Sequence, residues 1–365
     1  MAGAIGSDGG KDYGRVSAAS RMTESRRDAM PHVFILLLNW NGWRDTIECL
    51  ESVFRLNYPS FSVIVCDNAS TDGSLERIEN WANGEIAASC TSPELPHLVV
   101  PPVPKPIPFI RLSTADSTAL DSTPAVPLVL IQTGSNLGFA GGNNVGIRFA
   151  LGHVDCAYVW LLNNDTVIES DALSALVATA EADPKLGICG SVLRSYASPR
   201  EILTVGGRRY SRWSGRTRPI TDLTTPTIST LPGAPDYVEG ASMLISRSCL
   251  EQTGFLDESY FLYFEELDYV FRARPAFHFG YASNSVVYHK EGASIGSAMV
   301  RAKRSVLSDF YLARNRLIFT GRYYPRYVPS VLAAVGVSAL QRIMIGRPRN
   351  AVAILHGARA PASPK

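Results

Sequence analysis

At 365 residues, 46% hydrophobic and 19% charged, the chain can bury a proper core in one large or two small domains and is too apolar to be a disordered polymer. Its net charge of +2 hides a split: from Val300 onward it carries twelve Lys or Arg residues and one acid, Asp309, so the upstream chain is net acidic. A basic tail of this kind is expected to meet something anionic: nucleic acid, phospholipid or a lipid-linked diphosphate.

Residues 1–30 are rich in Gly, Ser, Ala and charge, lack the apolar run of a signal peptide and read as a disordered tail. The uninterrupted apolar run 33–38 predicts a strand buried on both faces. Ile47, Leu50, Val53 and Phe54 recur at helical spacing until Pro59, and 61–66 reads as a second strand running into Asp67-Asn68-Ala69-Ser70, with a helix over 74–81. Strand, helix, strand, helix opens a doubly wound α/β sheet. Residues 84–127, with eight residues Pro-Pro-Val-Pro-Lys-Pro-Ile-Pro at 101–108, break that rhythm and read as a surface insertion. The sheet is expected to resume at 128–132 and 158–162 around a helix over 142–151. Ser170 is placed to cap a helix that turns Leu173, Leu176, Val177 and Ala180 to one side. A strand over 237–245, a helix from Glu265 and a short last strand over 285–288 follow. No stretch reaches the roughly 18 apolar residues that span a bilayer, so the chain is expected to touch a membrane without crossing it. Six scattered cysteines without a CxxC pair fit a reducing compartment and neither a zinc site nor a disulfide framework.

Ligands of an open α/β sheet bind beyond the carboxyl ends of its strands. Three predicted strands end in polar clusters: Asn39-Trp40-Asn41-Gly42, Asp67-Asn68-Ala69-Ser70 and Asn163-Asn164-Asp165-Thr166. Any one of them is equally a plain turn; three at one sheet edge suggest a site. Asp165 follows an apolar strand that would hold its carboxylate rigidly, and an ion bridged to phosphates needs few protein oxygens. The segment from Asn136 through Gly138, Gly141 and Asn144 is glycine-rich and would let backbone N–H groups approach a phosphate or ribose at a helix start. Glu265, Glu266 and Asp268 follow an aromatic wall, Phe261 to Phe264. On a helix Glu265 and Asp268 share a face, and partial desolvation would raise a carboxyl toward general-base range. His289 ends a predicted strand, unlike the chain's other histidines.

Taken together, strand–Asn-Trp-Asn-Gly, Asp-Asn-Ala-Ser-Thr-Asp-Gly-Ser, Asn-Leu-Gly-Phe-Ala-Gly-Gly-Asn-Asn, Leu-Leu-Asn-Asn-Asp-Thr, Phe-Glu-Glu-Leu-Asp and Val-Val-Tyr-His-Lys-Glu-Gly-Ala-Ser resemble family 2 glycosyltransferases, in their bacterial rhamnosyltransferase-like subgroup. The likeness implies a GT-A fold, an α/β Rossmann-like, mostly parallel sheet flanked by helices, over residues 31–296, with the insertion at 84–127 and a basic helical C-terminal extension over 297–365. It implies that Asp67 contacts the nucleotide base and that Asn39, Asn41, Asn68, Asn136, Gly138, Gly141, Asn144 and Asn164 surround the nucleotide sugar. Asp165 and His289 would hold Mg2+ or Mn2+, with Asn163 at the first position of the family's DxD motif, where the usual residue is Asp. Glu266 matches the presumed catalytic base, with Glu265 and Asp268 beside it.

The expected activity is therefore inverting transfer of a sugar, by resemblance rhamnose from dTDP-rhamnose, to a hydroxyl of a glycan or polyprenyl-diphosphate-linked acceptor. The expected place is the cytoplasmic face of an anionic membrane, as a peripheral protein with no nucleic-acid partner. The rival readings are a sugar-phosphate nucleotidyltransferase, which would want a basic triphosphate loop near the first strand, and a non-catalytic carbohydrate- or lipid-binding module.

Overall fold

Alternate residues of the first strand decide how the layers form. The computed structural model describes residues 30–119, 126–291 and 304–360, so the tail expected over 1–30 lies outside it apart from Met30. In β1 (His32–Asn39), Val33, Ile35 and Leu37 enter one core with α1 (Trp43–Val53), α2 (Ser74–Asn83) and α5 (Ala172–Glu181). Phe34 and Leu36 enter a second core with α4 (Gly138–Leu151), α6 (Arg247–Thr253), α7 (Glu265–Ala273) and α8 (Val306–Tyr323). Each fully buried aliphatic side chain contributes about 1.5–3 kcal/mol, and here both faces of the strand are used.

The remaining strands are β2 (Phe61–Asp67), β3 (Phe109–Ser113), β4 (Leu128–Gln132), β5 (Cys156–Asn163), β6 (Thr166–Ile168), β7 (Leu186–Ser195), β8 (Ile202–Val205), β9 (Arg208–Ser211), β10 (Arg216–Pro219), β11 (Ser242–Ser246) and β12 (His278–His289), and a short helix α3 (Thr114–Ala119) follows β3. The main sheet runs β3–β4–β2–β1–β5–β11–β7–β12–β6, with β8 on β7, and β9 and β10 form a separate hairpin. Strands β3 to β5 are parallel, whereas β11 lies antiparallel between β5 and β7. This is the mostly parallel sheet flanked by helices that the resemblance implies. Chain order reverses at β1, with β2 on one side and β5 on the other. The carboxyl ends at Asn39, Asp67 and Asn163 therefore sit side by side.

The structure corrects several expectations. The segment 84–127 is no mere surface insertion: β3 is the sheet's edge strand, and Val103 and Ile107 are buried. The prolines precede an edge strand, where a missing N–H costs little, and the Val103 N–H instead reaches buried Glu51 at 2.9 Å. The strand expected over 237–245 is confined to β11, because the chain turns at 239–242 through Ser242 N–H to the Glu239 carbonyl. The last strand begins at His278, and a bulge between Tyr281 and Val286 hides its first half behind polar Ser283 and Asn284. Helix α5 has Asp171 and not Ser170 at its N-cap.

The C-terminal region is helical: α8, α9 (Val328–Met344) and α10 (Pro348–Arg359) share a small core of Ala313, Val335, Ala339, Ala351 and Ile354. It is joined to the sheet region through Phe319, fully buried against Phe264, Phe271 and Tyr210. Tyr323 and Tyr324 of the C-terminal region pack inward on the same cluster, against Phe271 and Phe319. A second correction concerns length: Pro325–Met344 is long and apolar enough to cross a membrane by length and composition, with 22% of the apolar window buried. Pro329, Gly336 and Arg342 interrupt this stretch, so it contains no uninterrupted apolar run of that length.

Candidate active site

The turn between β5 and β6 sets the first half of the site. Asp165 is held at the sheet edge by two apolar strands, and its Oδ1 lies 3.1 Å from Nε2 of His289, the last residue of β12. Burial alone would lower the His289 pKa, but the Asp165 carboxylate outweighs it and pushes it up to about 9. Asn163 Nδ2 stands 3.3 Å from the same ring nitrogen. The next residue is anchored, since Lys290 Nζ donates to Asp45 at 2.6 Å and also to Glu48. Among the described residues no group of three or more His, Cys, Asp and Glu side chains forms a metal cluster. One carboxylate and one imidazole meeting at the rim of a cavity nevertheless suit an ion whose other positions are taken by diphosphate and water.

That rim belongs to a cavity of about 340 Å3, walled by Trp40, Asn68, Asn136, Gly138, Phe139, Asn163, Asn164, Asp165, Phe261, His289 and Tyr311 among others. Asn68 is its corner post: Nδ2 donates to Asn136 Oδ1 and to the Gly138 carbonyl, both at 3.0 Å, and Oδ1 accepts from Leu137 N–H at 3.0 Å. Gly138 has φ +72°, and a Cβ there would lie 2.4 Å from the Phe261 carbonyl oxygen, so only glycine fits. Asn164 donates to Thr46 at 2.9 Å behind the wall.

Other predicted binding residues are placed differently. Asn39 is fully buried; its amide donates to Asp67 Oδ1 at 2.7 Å and accepts from Thr46 at 2.9 Å. Asp67 spends its carboxylate on Asn39 and on the hydroxyl and N–H of Ser70. Neither lines the cavity, nor does Asn41; Asn39 and Asp67 brace the turn that exposed Asn41 ties down by accepting from Thr71 N–H at 2.8 Å. The glycine-rich segment is not a phosphate cradle along its length either. Gly141 and Asn144 lie in α4, which starts four residues earlier than expected. Asn144 bonds Leu256 and Glu258 and not the cavity. At Gly146 a Cβ would fall 1.8 Å from Leu36 Cδ1, so the glycines serve close packing of helix on strand.

The second half of the site comes from the start of α7. Phe261, Tyr263 and Phe264 all have positive φ (61°, 68° and 76°), a costly backbone for residues with side chains. The loop is held by Asn315 of α8, whose Nδ2 donates to the carbonyls of Tyr260, Leu262 and Tyr263 at 2.7–2.9 Å. It delivers Glu265 and Glu266 to a cavity of about 220 Å3 that also contains Arg208, Tyr237, Glu239, His289 and Glu291. Burial, and then the Glu239 carboxylate, push the Glu266 carboxyl up to about 7, against the pull of Arg208. Glu265 is raised well above the usual range by burial and by Glu266. Neither Oε2 atom has a hydrogen-bond partner.

Asp268 is not part of this site. It is fully buried and ion-paired to Arg272 at 2.8 Å and Arg322 at 2.6 Å, with Tyr260 and Tyr323 donating to it. It fastens α7 to α8. The helical face predicted for Glu265 and Asp268 is correct for burial, and the cavity lies on Glu266's side as well. Missed from sequence were Arg208, Glu239 (3.2 Å apart) and Asn315, none of which sits in a recognisable motif. The two cavities share Phe139, Asn163, Leu262 and His289, so Asp165 and Glu266 face neighbouring compartments of one cleft.

Among curated proteins, the low-salt glycan biosynthesis hexosyltransferase Agl10 of Haloferax volcanii is 31% identical over 159 residues, which are 40% of this chain and 45% of that protein. The match thus spans under half the length of that relative. Among solved structures, the mannosyltransferase PcManGT of Pyrobaculum calidifontis, in complex with GDP-Man and Mn2+, aligns over 93% of this chain and 91% of its own at 15% identity and a TM-score of 0.48. Residues 1–349 of TarS of S. aureus, in complex with UDP-GlcNAc, align over 90% of both chains at 14% identity and a TM-score of 0.47. A family model for glycosyl transferase family 2 matches residues 34–90, and one for glycosyltransferase-like family 2 matches residues 115–308, more than half of the chain. The chain therefore belongs to glycosyltransferase family 2.

Proposed function

We propose that the protein transfers a sugar from a nucleotide diphosphate to an acceptor hydroxyl in one displacement, with inversion at the anomeric carbon. The observation that carries this reading is the cleft in which Asp165 and His289 border one compartment and Glu266 the next, with His289 common to both. The donor lies in the larger compartment, its base toward Trp40 and the turn braced by Asp67. Asp165 and His289 would hold Mg2+ or Mn2+, which supplies charge neutralisation for the departing diphosphate. Glu266, poised near neutrality, takes the proton of the acceptor hydroxyl as that oxygen attacks from the face opposite the leaving group. Because Glu266 lines the acceptor compartment and not the donor one, it suits a base better than a nucleophile. Arg208 and Glu239 fix the charge around it.

Within the family the motif set most resembles rhamnosyltransferases, so dTDP-rhamnose is the first donor to test. The acceptor is read as a glycan or lipid-linked hydroxyl, and the protein as peripheral on the cytoplasmic membrane face. Exposed Leu332, Leu340, Ile343 and Met344 of α9, near basic residues, support the last point. The test is a screen of nucleotide sugars with and without Mg2+ or Mn2+, reading nucleoside diphosphate release. Release with one donor is expected. Pyrophosphate release would indicate nucleotidyl transfer, and no release or binding with any donor would overturn the reading.

A further inference from the structure

Behind the Asp165–His289 pair, on the side away from the cleft, the side chain of Lys290 closes a frame of buried polar contacts. A lysine directly after a strand-end histidine could reach a diphosphate, yet Lys290 lines neither of the cavities that His289 borders. Its Nζ donates to Asp45 Oδ1 at 2.6 Å and to Glu48 Oε2, both in α1, and stands over the Tyr196 ring, 4.8 Å from its centroid. Its backbone N–H donates to the Asp165 carbonyl at 3.0 Å. Tyr196, the residue after β7, completes the frame: its N–H donates to the His289 carbonyl at 3.0 Å, and its hydroxyl donates to Glu48 Oε1. The Thr91 and Ser92 N–H groups donate to that hydroxyl in turn, at 2.9 and 3.0 Å. Glu48 is 1% exposed, so water does not replace a partner it loses.

We propose that Lys290 is a positioning residue for the divalent cation: through Asp45, Glu48 and Tyr196 it holds the backbone of Asp165 and His289 in place, and it touches neither the ion nor the diphosphate. A site with only one carboxylate and one imidazole from the protein has no further ligand to take up slack, so the groups behind those two set its affinity. The frame joins the start of α1 to the ends of β7 and β12 and to the turn after β5, the elements that carry the pair. An uncharged residue at 290 would keep the bond to the Asp165 carbonyl but release the end of β12 from α1 and leave Glu48 a buried carboxylate without its cation. The proposal rests on the reading of Asp165 and His289 as the residues that hold the metal, and it adds the group that aligns them.

The experiment titrates Mn2+ into the full chain, alone and beside dTDP, UDP or GDP, and follows loss of the free-ion signal by electron paramagnetic resonance against protein-free blanks. The same nucleoside diphosphates are titrated by calorimetry in excess chelator. Wild type is compared with Lys290→Met, with Lys290→Arg, which keeps the charge, and with Glu48→Gln, each at a temperature where circular dichroism shows it folded. Lys290→Met is expected to weaken Mn2+ binding about 10- to 100-fold, Glu48→Gln by a smaller part, and Lys290→Arg to stay near wild type. Nucleoside diphosphate binding in chelator is expected to be the same in all four. Should Lys290→Met not fold, Glu48→Gln still reports, and unchanged Mn2+ affinity in it overturns the proposal. Lys290→Met binding Mn2+ like wild type, or Lys290→Arg as weak as Lys290→Met, overturns it too. An equal loss of diphosphate binding in chelator would make Lys290 a direct diphosphate contact and overturn the positioning role. In each of these cases Mn2+ binding by wild type leaves the metal reading of Asp165 and His289 standing, whereas wild type that binds no Mn2+ overturns that reading and the proposal with it.

Discussion

Asn315, in a helix of the C-terminal region, places its side-chain amide 2.7 Å from the backbone carbonyl of Leu262, three residues before Glu265 at the start of α7. The same amide serves the carbonyls of Tyr260 and Tyr263 and so ties the left-handed turn at 261–264 to α8. Asn315→Ala is expected to cost about 1–3 kcal/mol of stability. It is also expected to lower kcat well beyond any change in nucleoside diphosphate affinity, because only the loop under Glu266 loosens. Urea unfolding and steady-state kinetics check both. A folded variant with unchanged kcat would show that the clamp is not needed for turnover.

For Glu266→Gln, shape is nearly kept and the proton acceptor is lost. Turnover is expected to fall about 10²–10⁴-fold while donor binding survives. In the wild type the base works deprotonated, so the rate should rise with pH through about 7 and then level off. Stability runs the other way. A carboxyl raised by burial leaves the fold undisturbed below the ordinary carboxylate range, and charging it destabilises the fold as pH rises through about 7. At pH 8.5 Glu266→Gln should therefore be more stable than wild type, by on the order of 2 kcal/mol. Glu265→Gln with a larger kinetic defect than Glu266→Gln would reassign the base.

Asp165→Ala removes the carboxylate from the pair with His289. Turnover should drop about 10²-fold or more, and affinity for nucleoside diphosphate should cease to respond to added Mn2+ or Mg2+. Wild type stripped with excess chelator should fall silent and recover on metal addition. Full activity in chelator would remove the metal from the mechanism.

The exposed apolar residues of α9 give a direct test of membrane attachment. Full-length protein should sediment with phosphatidylglycerol vesicles, release partly at high salt, and bind phosphatidylcholine vesicles weakly. Each engaged cation contributes about 1 kcal/mol near an anionic surface. Replacing Leu340, Ile343 and Met344 by Ser should weaken binding to both. Equal binding of the triple variant and wild type would count against α9 as the contact.

What could be read in the sequence, and what could not, follows from how local each signal is. The strands β1 and β4 are bare apolar runs between turn residues, and the strand-end rule placed Asp165 and His289 correctly at one edge. β7 escaped because Gly187 and Gly190 interrupt its pattern. Both are required by close neighbours, since a Cβ would lie 2.8 Å from Phe277 or 2.7 Å from Val238. Asn39, Asp67 and Asn144 carry polar side chains typical of a binding site, yet they bond other protein groups, a distinction that spacing does not encode. Asp268 was grouped with Glu265 by helical periodicity, which cannot foresee Arg322 arriving from 54 residues away in sequence to claim it. Arg208, Glu239 and Asn315 meet the site only through tertiary contact.

The clamp from α8 onto the 261–264 turn also orders events during synthesis. Every described strand of the sheet and the Asp165–His289 pair are encoded before residue 290, so the wall of the 340 Å3 cavity, apart from Leu307 and Tyr311, is present while the chain is still being made. The compartment of Glu266 is completed later, because Asn315 and Arg322 emerge after it, and until then the strained turn keeps its bond from Phe139 N–H to the Phe261 carbonyl but lacks its tie to α8. The nascent chain would therefore bring Asp165 and His289 together before Glu266 has its final support.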